Sequence, residues 1–188
     1  MSESSPLVEI SAELTPNPNT LKFMLNRILL ESGSCNFPDR TNAQKSAMAS
    51  KLFEVEKVSG VLIGTDFVTV TKMPDAEWPA LVPEVVEKIK AFFAGGQPAV
   101  SEEFLSSPQA APQTEIEKEI IEILDREIRP AVARDGGDII FYGYENGVVK
   151  LHLQGSCSSC PSSVMTLKMG IESRLKQSFP DIKEVIQV

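Results

Sequence analysis

The most informative segment of this 188-residue chain is the tract Gly155-Ser156-Cys157-Ser158-Ser159-Cys160-Pro161-Ser162-Ser163. It holds two of the three cysteines, separated by two residues, and it lies between a tract typical of a strand and one typical of a helix. Thiolate-rich sites in proteins usually fill four positions on a zinc ion or an iron–sulfur cluster. The chain has no second pair of this kind. The tract therefore predicts either half of a metal site that another molecule completes, or a redox dithiol.

The pattern around the cysteine pair predicts a domain over residues 114–188 with the order helix, strand, strand, helix, strand. Thr114 and Glu117 form a capping box at the start of its first helix, and Pro130 kinks that helix or starts a new turn. Asp135-Gly136-Gly137-Asp138 ends the helix and shapes the turn into a hairpin, because glycine tolerates unusual backbone angles. The other expected elements are strands over 139–144, 148–154 and 182–188, and a helix over 162–179. The residues expected to face the core are Ile116, Ile120, Ile123, Leu124 and Ile128 in the first helix, and Val164, Leu167, Ile171 and Leu175 in the last.

Upstream of this domain, residues 95–113 are rich in glycine, proline, serine and alanine, which predicts a flexible linker. Phe104-Leu105 inside it could dock loosely on either domain. Residues 9–94 form a first domain, preceded by a polar tail over residues 1–8. Its expected elements are strands at 8–14, 21–25 and 28–30, a helix over 42–55, a hairpin over 60–71 and a helix over 78–93 that ends at Gly95-Gly96. The predicted fold class is α+β, built from two small α/β domains.

Composition narrows the range of partners and compartments. The net charge is −8, from 18 basic and 26 acidic residues, and neither half has a basic run. This argues against nucleic acid or an anionic membrane surface as the main partner. Three cysteines do not make a disulfide framework, which favours a reducing compartment. The polar start of the chain and the lack of a long apolar stretch predict a cytoplasmic protein, with a mature organellar form that has lost a transit peptide left open.

The position of the cysteine pair predicts reactive thiols. If Pro161 takes the first helical position, Cys160 is the N-cap residue and Cys157 lies just outside it in the loop. Both sulfurs would then be close to the positive end of the helix dipole, which lowers a thiol pKa and favours the ligating thiolate. The same free N–H groups can donate hydrogen bonds to the sulfides of an anionic cluster.

The residues alone leave several interpretations of the pair. A zinc site within one chain would need Cys35 and His152, but Cys35 has no Cys or His near it in sequence and His152 falls on the exposed face of its strand. A thioredoxin-like dithiol normally follows an early strand in a βαβ unit, whereas a helix and a hairpin precede this one. The interpretation of Cys157 and Cys160 as buried structural residues is disfavoured, because a serine-rich loop is poorly suited to a hydrophobic core. A cluster shared across a two-fold axis would use four thiolates from two chains.

Both domains resemble one known family. Residues 115–188 are similar to the C-terminal domain of the NifU/Nfu family of iron–sulfur proteins. The residues that carry this resemblance are Arg129-Pro130-Ala131-Val132-Ala133-Arg134-Asp135-Gly136-Gly137-Asp138, Leu151-His152-Leu153-Gln154-Gly155 and the cysteine tract. Residues 9–94 look like the N-terminal domain of Nfu-type proteins, through Thr15-Pro16-Asn17-Pro18-Asn19-Thr20-Leu21-Lys22-Phe23 and the segment from Gly60-Val61 to Val70-Thr71.

The resemblance implies a non-enzymatic scaffold or carrier that binds a [4Fe-4S] cluster and passes it to apo-proteins. It carries the iron ligands over to Cys157 and Cys160 only, contributed by each of two protomers in a cluster-bridged homodimer. An upstream cluster-assembly scaffold is the implied donor. The first domain has no ligands that the resemblance places, and it is expected to dock partners or to stabilise the chain.

Overall fold

The structure is a computed structural model that describes residues 7–101, 112, 114–158 and 161–188. The described elements form two sheets, and each sheet packs on its own helices around its own apolar core. This agrees with the predicted α+β class. None of the described helices combines the length and the apolarity needed to cross a bilayer.

The first sheet has five antiparallel strands in the order β1-β2-β5-β4-β3. The strands are β1 (Ile10–Leu14), β2 (Thr20–Leu25), β3 (Cys35–Phe37), β4 (Val58–Ile63) and β5 (Phe67–Lys72). Three helices pack against it: α1 (Arg40–Ala43), α2 (Ala47–Leu52) and α3 (Trp78–Ala94). The first core therefore lies between the helices and one face of the sheet.

The two faces of the first sheet differ in chemistry. Leu21 and Phe23 of β2, with Val68 and Val70 of β5, point into the first core. Lys22 is the cross-strand partner of Thr69, and Leu62 of β4 is the next partner of Thr69 across the sheet. Since side chains alternate along a strand, these residues and Thr20 lie on the face opposite the helices. We call Thr20, Lys22, Leu62 and Thr69 the outer face.

Most of the predicted elements of the first domain are present. The hairpin over 60–71 is β4 and β5, and α3 is capped at Gly95 and buries Leu81, Val85, Ile89 and Phe92. The strand predicted over 28–30 is wrong, because the backbone N–H groups of Leu29 and Leu30 both turn toward the Thr65 carbonyl and no ladder forms. The short strand β3 was not predicted.

The helix predicted over 42–55 is divided into α1 and α2. Asp39 caps α1, and Ser46 caps α2 by accepting a hydrogen bond from the Ala49 N–H. A serine that caps a new helix competes with continuation of the old one, which explains the break. The predicted apolar face, Ala43, Ala47, Met48, Leu52 and Phe53, is correct except at Ala47, which is exposed.

The second sheet has three strands in the order β6-β7-β8. The elements are α4 (Glu115–Ile123), a π-helical turn (Leu124–Ile128), α5 (Arg129–Arg134), β6 (Gly137–Glu145), β7 (Val148–Gly155), α6 (Pro161–Ser178) and β8 (Glu184–Gln187). β6 and β7 form an antiparallel hairpin, and β8 adds to β7 in parallel. The predicted order of elements is confirmed.

The start of the second domain confirms the local signals in detail. Thr114 and Glu117 form the reciprocal capping box, and the other carboxylate oxygen of Glu117 accepts the Tyr144 N–H at 3.1 Å. Pro130 lies at the start of α5, directly after the π-helical turn, as expected for a new turn. Ile120, Ile123 and Leu124 are buried, but Ile116 is exposed, so its assignment to the core stripe is wrong.

The predicted linker is not free over its whole length. Ala99 and Val100 are buried in the first core, and the Ser46 hydroxyl donates to the Ala99 carbonyl. Ser101 reaches the Lys45 carbonyl. Residues 102–111 and 113, including Phe104-Leu105, lie outside the described residues. The domain limits at 9–94 and 114–188 remain a prediction.

Replacing Glu117 by alanine removes half of the capping box and the partner of the Tyr144 N–H. We expect the free energy of unfolding of the second domain to fall by roughly 1–2 kcal/mol, because a cap contributes about 1 kcal/mol and a backbone donor is left unpaired. Urea unfolding followed by circular dichroism measures this. Glu119→Ala is the matched control, since it removes the same charge from an exposed position of α4 and should change stability by less than about 0.5 kcal/mol. Equal losses in the two variants would contradict the assignment.

Candidate metal centre

The cysteine loop, Gly155–Ser158, follows the end of β7, and α6 begins at Pro161 as the sequence predicts. The loop forms because Gly155 adopts a φ of 66°, which turns the chain away from the sheet at low cost for glycine only. Cys157 is in the described part of the loop. Cys160 is outside the described residues, so its place at the helix start remains a prediction.

The Cys157 thiol points into the second domain. The residue is 5% exposed and belongs to the second core. Its Sγ lies directly over Gly137, where an added Cβ would be 2.6 Å from the sulfur. Gly137 is therefore a glycine because the sulfur occupies the space that a side chain would need.

Burial raises the pKa of the Cys157 thiol above its ordinary value. The nearby carboxylates of Asp135 and Asp138 act in the same direction, and a hydrogen-bond contact with the Ser156 hydroxyl at 3.8 Å opposes them. The expectation of a lowered pKa is wrong for Cys157 in this conformation. The expectation that it makes poor core is also wrong, because Cys157 is buried in the second core.

The loop is locked to the turn that precedes β6. The Ser156 hydroxyl donates to the Asp135 carbonyl, and the Ser156 N–H donates to the Gly136 carbonyl at 3.3 Å. A Cβ on Gly155 would be 2.7 Å from that same carbonyl oxygen. Gly136 has a φ of 77°. The Asp135-Gly136-Gly137-Asp138 turn thus shapes the hairpin, as predicted, and it also holds the cysteine loop.

The Asp138 carboxylate stabilises this turn through a hydrogen bond and an ion pair. It is 5% exposed, and its Oδ1 accepts the Ile139 N–H at 2.7 Å. The Arg129 Nε lies 3.1 Å from the same oxygen, at ion-pair distance though not aligned for a hydrogen bond. Arg129 is held in turn by Asp125 at 2.7 Å and by the Ile139 carbonyl at 2.8 Å. The paired charges keep a buried carboxylate at the start of β6.

The other candidate ligands have structural roles. Cys35 is on β3, buried in the first core, as expected for a lone core thiol. His152 is on the partly exposed face of β7, with Nδ1 2.5 Å from the Val188 carbonyl oxygen and its ring 5.9 Å from that of Tyr142. In the part of the chain that the structure describes, no group of three or more His, Cys, Asp and Glu side chains is arranged to hold a metal ion.

Sequence reasoning missed the two residues that position Cys157, namely Gly137 under the sulfur and Ser156 beside it. The signal for Gly137 is the second glycine of the Gly-Gly pair. One positive φ, at Gly136, would satisfy the turn, so the second glycine indicates a close approach by another group. No comparable signal marks Ser156, since serine is common throughout the loop.

Gly137→Ala tests the contact with the sulfur. The added methyl group must displace Cys157, so we expect the second domain to lose about 1–3 kcal/mol of stability and Cys157 to react faster with iodoacetamide. Urea unfolding and mass-spectrometric mapping of the alkylated cysteine measure the two effects. Gly170→Ala on α6 is the control, because a Cβ there meets nothing within 4 Å and alanine should add about 0.5–1 kcal/mol. Unchanged Cys157 reactivity in Gly137→Ala would contradict the contact.

The Cys35 thiol makes stability depend on alkaline pH. Burial, with the Asp138 carboxylate adding to it, raises the pKa of Cys35 from 9.0 to about 11. Between these values the unfolded chain releases a proton that the folded chain keeps, so stability falls with rising pH by about 1.4 kcal/mol per unit. Between pH 8 and pH 10, wild-type protein should therefore lose about 1 kcal/mol more than Cys35→Ala in urea unfolding. Parallel losses in the two proteins would contradict the raised pKa.

Comparison with known proteins matches both halves of the chain. Residues 10–96 match the family described as scaffold protein Nfu/NifU N terminal, and residues 120–186 match the NifU-like domain. Among solved structures, a NifU-like protein from Saccharomyces cerevisiae is 27% identical, with a TM-score of 0.47 over 54% of this chain and 92% of that chain. A protein from Staphylococcus aureus is 29% identical, with a TM-score of 0.38 over 45% of this chain and 98% of that chain.

Relatives align with almost the whole chain. The human protein named NFU1 iron-sulfur cluster scaffold homolog, mitochondrial, is 44% identical over 184 residues, which cover 95% of this chain and 71% of the human protein. The protein of the same name from Drosophila erecta is 46% identical over 187 residues. The chain covers 64% of the length of that relative. With both domains matched in order and 95% of this chain aligned with the human relative, this chain belongs to the Nfu family of NifU-like proteins.

Proposed function

We propose that this protein is an iron–sulfur cluster scaffold or carrier that binds a [4Fe-4S] cluster through Cys157 and Cys160 and transfers it to apo-proteins. The observation that carries the proposal is the place of Cys157, at the junction of β7 and α6 in a region that matches the NifU-like domain. Relatives that align with 95% of the chain bear the name of cluster scaffolds.

The start of α6 suits an anionic cargo. A helix N-terminus leaves its first backbone N–H groups without partners inside the helix and carries partial positive charge. In α6, which begins at Pro161, these groups include the N–H of Ser162 and of Ser163. They can donate to the sulfides of a cluster bound by the adjacent cysteines, which favours the thiolate-bound state.

Sharing between two chains follows from the number of ligands. A [4Fe-4S] cluster takes four thiolates, and the cysteine pair supplies two. Cys35, the third cysteine, packs in the first core on β3. A second copy of the chain, related by a two-fold axis, would supply the missing pair. A cluster held between two copies is released when they separate, which suits delivery rather than permanent redox service.

The proposed role fixes the kinds of partner. The chain receives a cluster from an assembly scaffold and gives it to apo-forms of iron–sulfur proteins, with no catalytic residues assigned. The relatives named above are mitochondrial proteins, and both described cysteines are free thiols. We therefore place the protein in a reducing compartment, either the cytoplasm, as the composition predicts, or the interior of an organelle.

No observation favours the alternative of a thiol-disulfide oxidoreductase. An attacking cysteine in that class is partly exposed and has a lowered pKa. Cys157 is buried and its pKa is raised. This burial of the Cys157 thiol must be relieved before it can bind iron. The requirement concerns the first domain because that domain contacts the cysteine loop.

Anaerobic reconstitution with iron and sulfide tests the proposal. We expect a broad visible absorbance from thiolate-to-iron charge transfer and about one four-iron cluster per two chains, because four thiolates are needed. Iron and sulfide analysis with native mass spectrometry gives the stoichiometry. Cys157→Ala and Cys160→Ala should each lose the cluster, whereas the Cys35→Ala control should retain it. A cluster that survives Cys157→Ala would overturn the assignment, and one cluster per single chain would overturn the sharing.

Transfer is tested with the loaded protein. Incubation with an apo-enzyme whose activity needs a [4Fe-4S] cluster should restore that activity faster than the same amounts of free iron and sulfide. A chelator that captures free iron separates direct transfer from release and rebinding. Restoration that the chelator abolishes would contradict a carrier role.

A further inference from the structure

The outer face of the first sheet is buried although three of its four residues, Thr20, Lys22 and Thr69, suit contact with water. Thr20 and Thr69 are 1% exposed and Lys22 is 6% exposed. An antiparallel sheet that packs helices on one face commonly leaves the other to solvent, with polar residues there. Here the second domain covers that face, and the part that covers it is the cysteine loop together with the turn before β6.

Hydrogen bonds between described residues join the two domains at this place. The Asn17 side-chain amide donates to the Ser156 carbonyl at 3.2 Å, and the Ser34 hydroxyl donates to the Asp138 carboxylate at 2.5 Å. The Lys22 ammonium reaches the Arg134 carbonyl at 3.4 Å and lies 4.7 Å from the centre of the Phe67 ring. The Ser156 carbonyl is in the cysteine loop. The Asp138 carboxylate is in the turn that holds this loop, and the Arg134 carbonyl directly precedes that turn.

Close packing accompanies these hydrogen bonds. A Cβ on Gly155 would be 2.9 Å from the Leu62 Cδ1, and a Cβ on Gly136 would be 2.9 Å from the Thr69 Oγ1. The outer face therefore contacts the backbone of both glycines. Cys157 follows this backbone by two residues and directs its sulfur to the other side, toward Gly137.

The buried contact is poorly satisfied. The hydroxyl oxygens of Thr20 and Thr69 are buried without a hydrogen-bond partner. Thr69 packs against Gly136, so water would provide its partner if the domains separated, and closure sacrifices a hydrogen bond that the open form regains. This contact differs from the apolar packing of the first core.

We propose that the outer face is a clamp that holds the cysteine loop with the Cys157 thiol turned inward, and that the domains must separate before Cys157 binds a cluster. The inference rests on the proposed function. Turning the thiol outward requires rotation of the backbone between Gly155 and Cys157. That rotation breaks the Asn17 hydrogen bond to the Ser156 carbonyl and moves Gly155 away from Leu62.

The chain between the domains is long enough for separation. Ser101 is held on the first core, and Thr114 begins the second domain. The chain that joins them can extend over at most about 45 Å. In the closed form the outer face covers the cysteine loop and blocks the approach of a second copy. Separation of the domains frees the loop for that approach. The first domain would then regulate when a cluster is taken up.

Thr69→Glu tests the clamp in the full-length, iron-free protein. The larger side chain would overfill the contact with Gly136. Its carboxylate would also be close to those of the Asp135–Asp138 turn, so closure becomes unfavourable although Lys22 is the cross-strand neighbour. We expect Cys157 to react with iodoacetamide at least about tenfold faster than in wild type, which corresponds to about 1.4 kcal/mol. Small-angle X-ray scattering should show a larger radius of gyration. Ser11→Glu is the matched control, because it adds the same charge to an exposed position on β1 of the same sheet.

Cys35 reports on the integrity of the first domain in the same experiment. Its alkylation should stay slow in Thr69→Glu, since burial in the first core, the larger cause of its raised pKa, does not depend on contact with the second domain. If both cysteines react faster, the first domain has unfolded, and Ser34→Ala decides instead. That variant removes the hydrogen bond to Asp138 from a partly exposed side chain, and a threefold faster reaction of Cys157 alone is expected. Cys157 rates within twofold of wild type in the deciding variant overturn the clamp.

Failure of the clamp and failure of the proposed function give different results. The alkylation experiment contains no iron, so its outcome does not depend on cluster binding. If neither wild-type protein nor Thr69→Glu binds a cluster while Thr69→Glu still exposes Cys157, the scaffold function is overturned and the clamp on the Cys157 thiol stands. If both hold, Thr69→Glu should reach full cluster occupancy sooner than wild type and Ser11→Glu should not.

Discussion

Close contact of backbone and sulfur at Gly136, Gly137 and Gly155 is the constraint on which the cysteine loop depends. A Cβ at Gly137 would collide with the Cys157 sulfur, and one at Gly155 would collide with the Gly136 carbonyl oxygen. These contacts place the loop against the start of β6. Asp138, the residue after Gly137, forms an ion pair with Arg129 of its own domain and accepts a hydrogen bond from Ser34 of the other domain. The β6–β7 hairpin, the cysteine loop and the contact between the domains therefore all depend on one small region of packed backbone.

Local signals were sufficient to predict most of the elements. The capping box of Thr114 and Glu117, the Asn146-Gly147 turn with positive φ at both residues, and Pro161 at the start of α6 each act within a few residues. The incorrect predictions occur where another group determines the local structure. The segment 28–30 has the apolar residues of a strand, but its N–H groups are taken by Thr65, which the sequence alone does not bring near. Ser46 interrupts a helical pattern because it can cap.

The site itself was predictable in identity but not in orientation. The cysteine spacing and the following proline identify Cys157 and Cys160 as the candidate ligands. Whether the Cys157 thiol faces water or core depends on Gly137, twenty residues earlier in the chain, and on the loop contacts with the first domain. Alternation along β2 and β5 likewise predicts a polar face without indicating what covers it. Long-range packing supplies both answers. The second glycine of the Gly-Gly pair indicates a close approach at Gly137, but it does not identify the group that approaches.

The order of the strands has a consequence for synthesis on the ribosome. β7 is the central strand of the second sheet, and its parallel partner β8 supplies Val185 to the second core. About 90 residues separate the end of α3 from β8, so the first domain can fold several seconds before the second sheet is complete. During that time the outer face meets water, and Thr20, Lys22 and Thr69 are side chains that water solvates well. The polarity that leaves two hydroxyls unpaired in the finished chain thus protects the nascent first domain from association while its intramolecular partner is still being made.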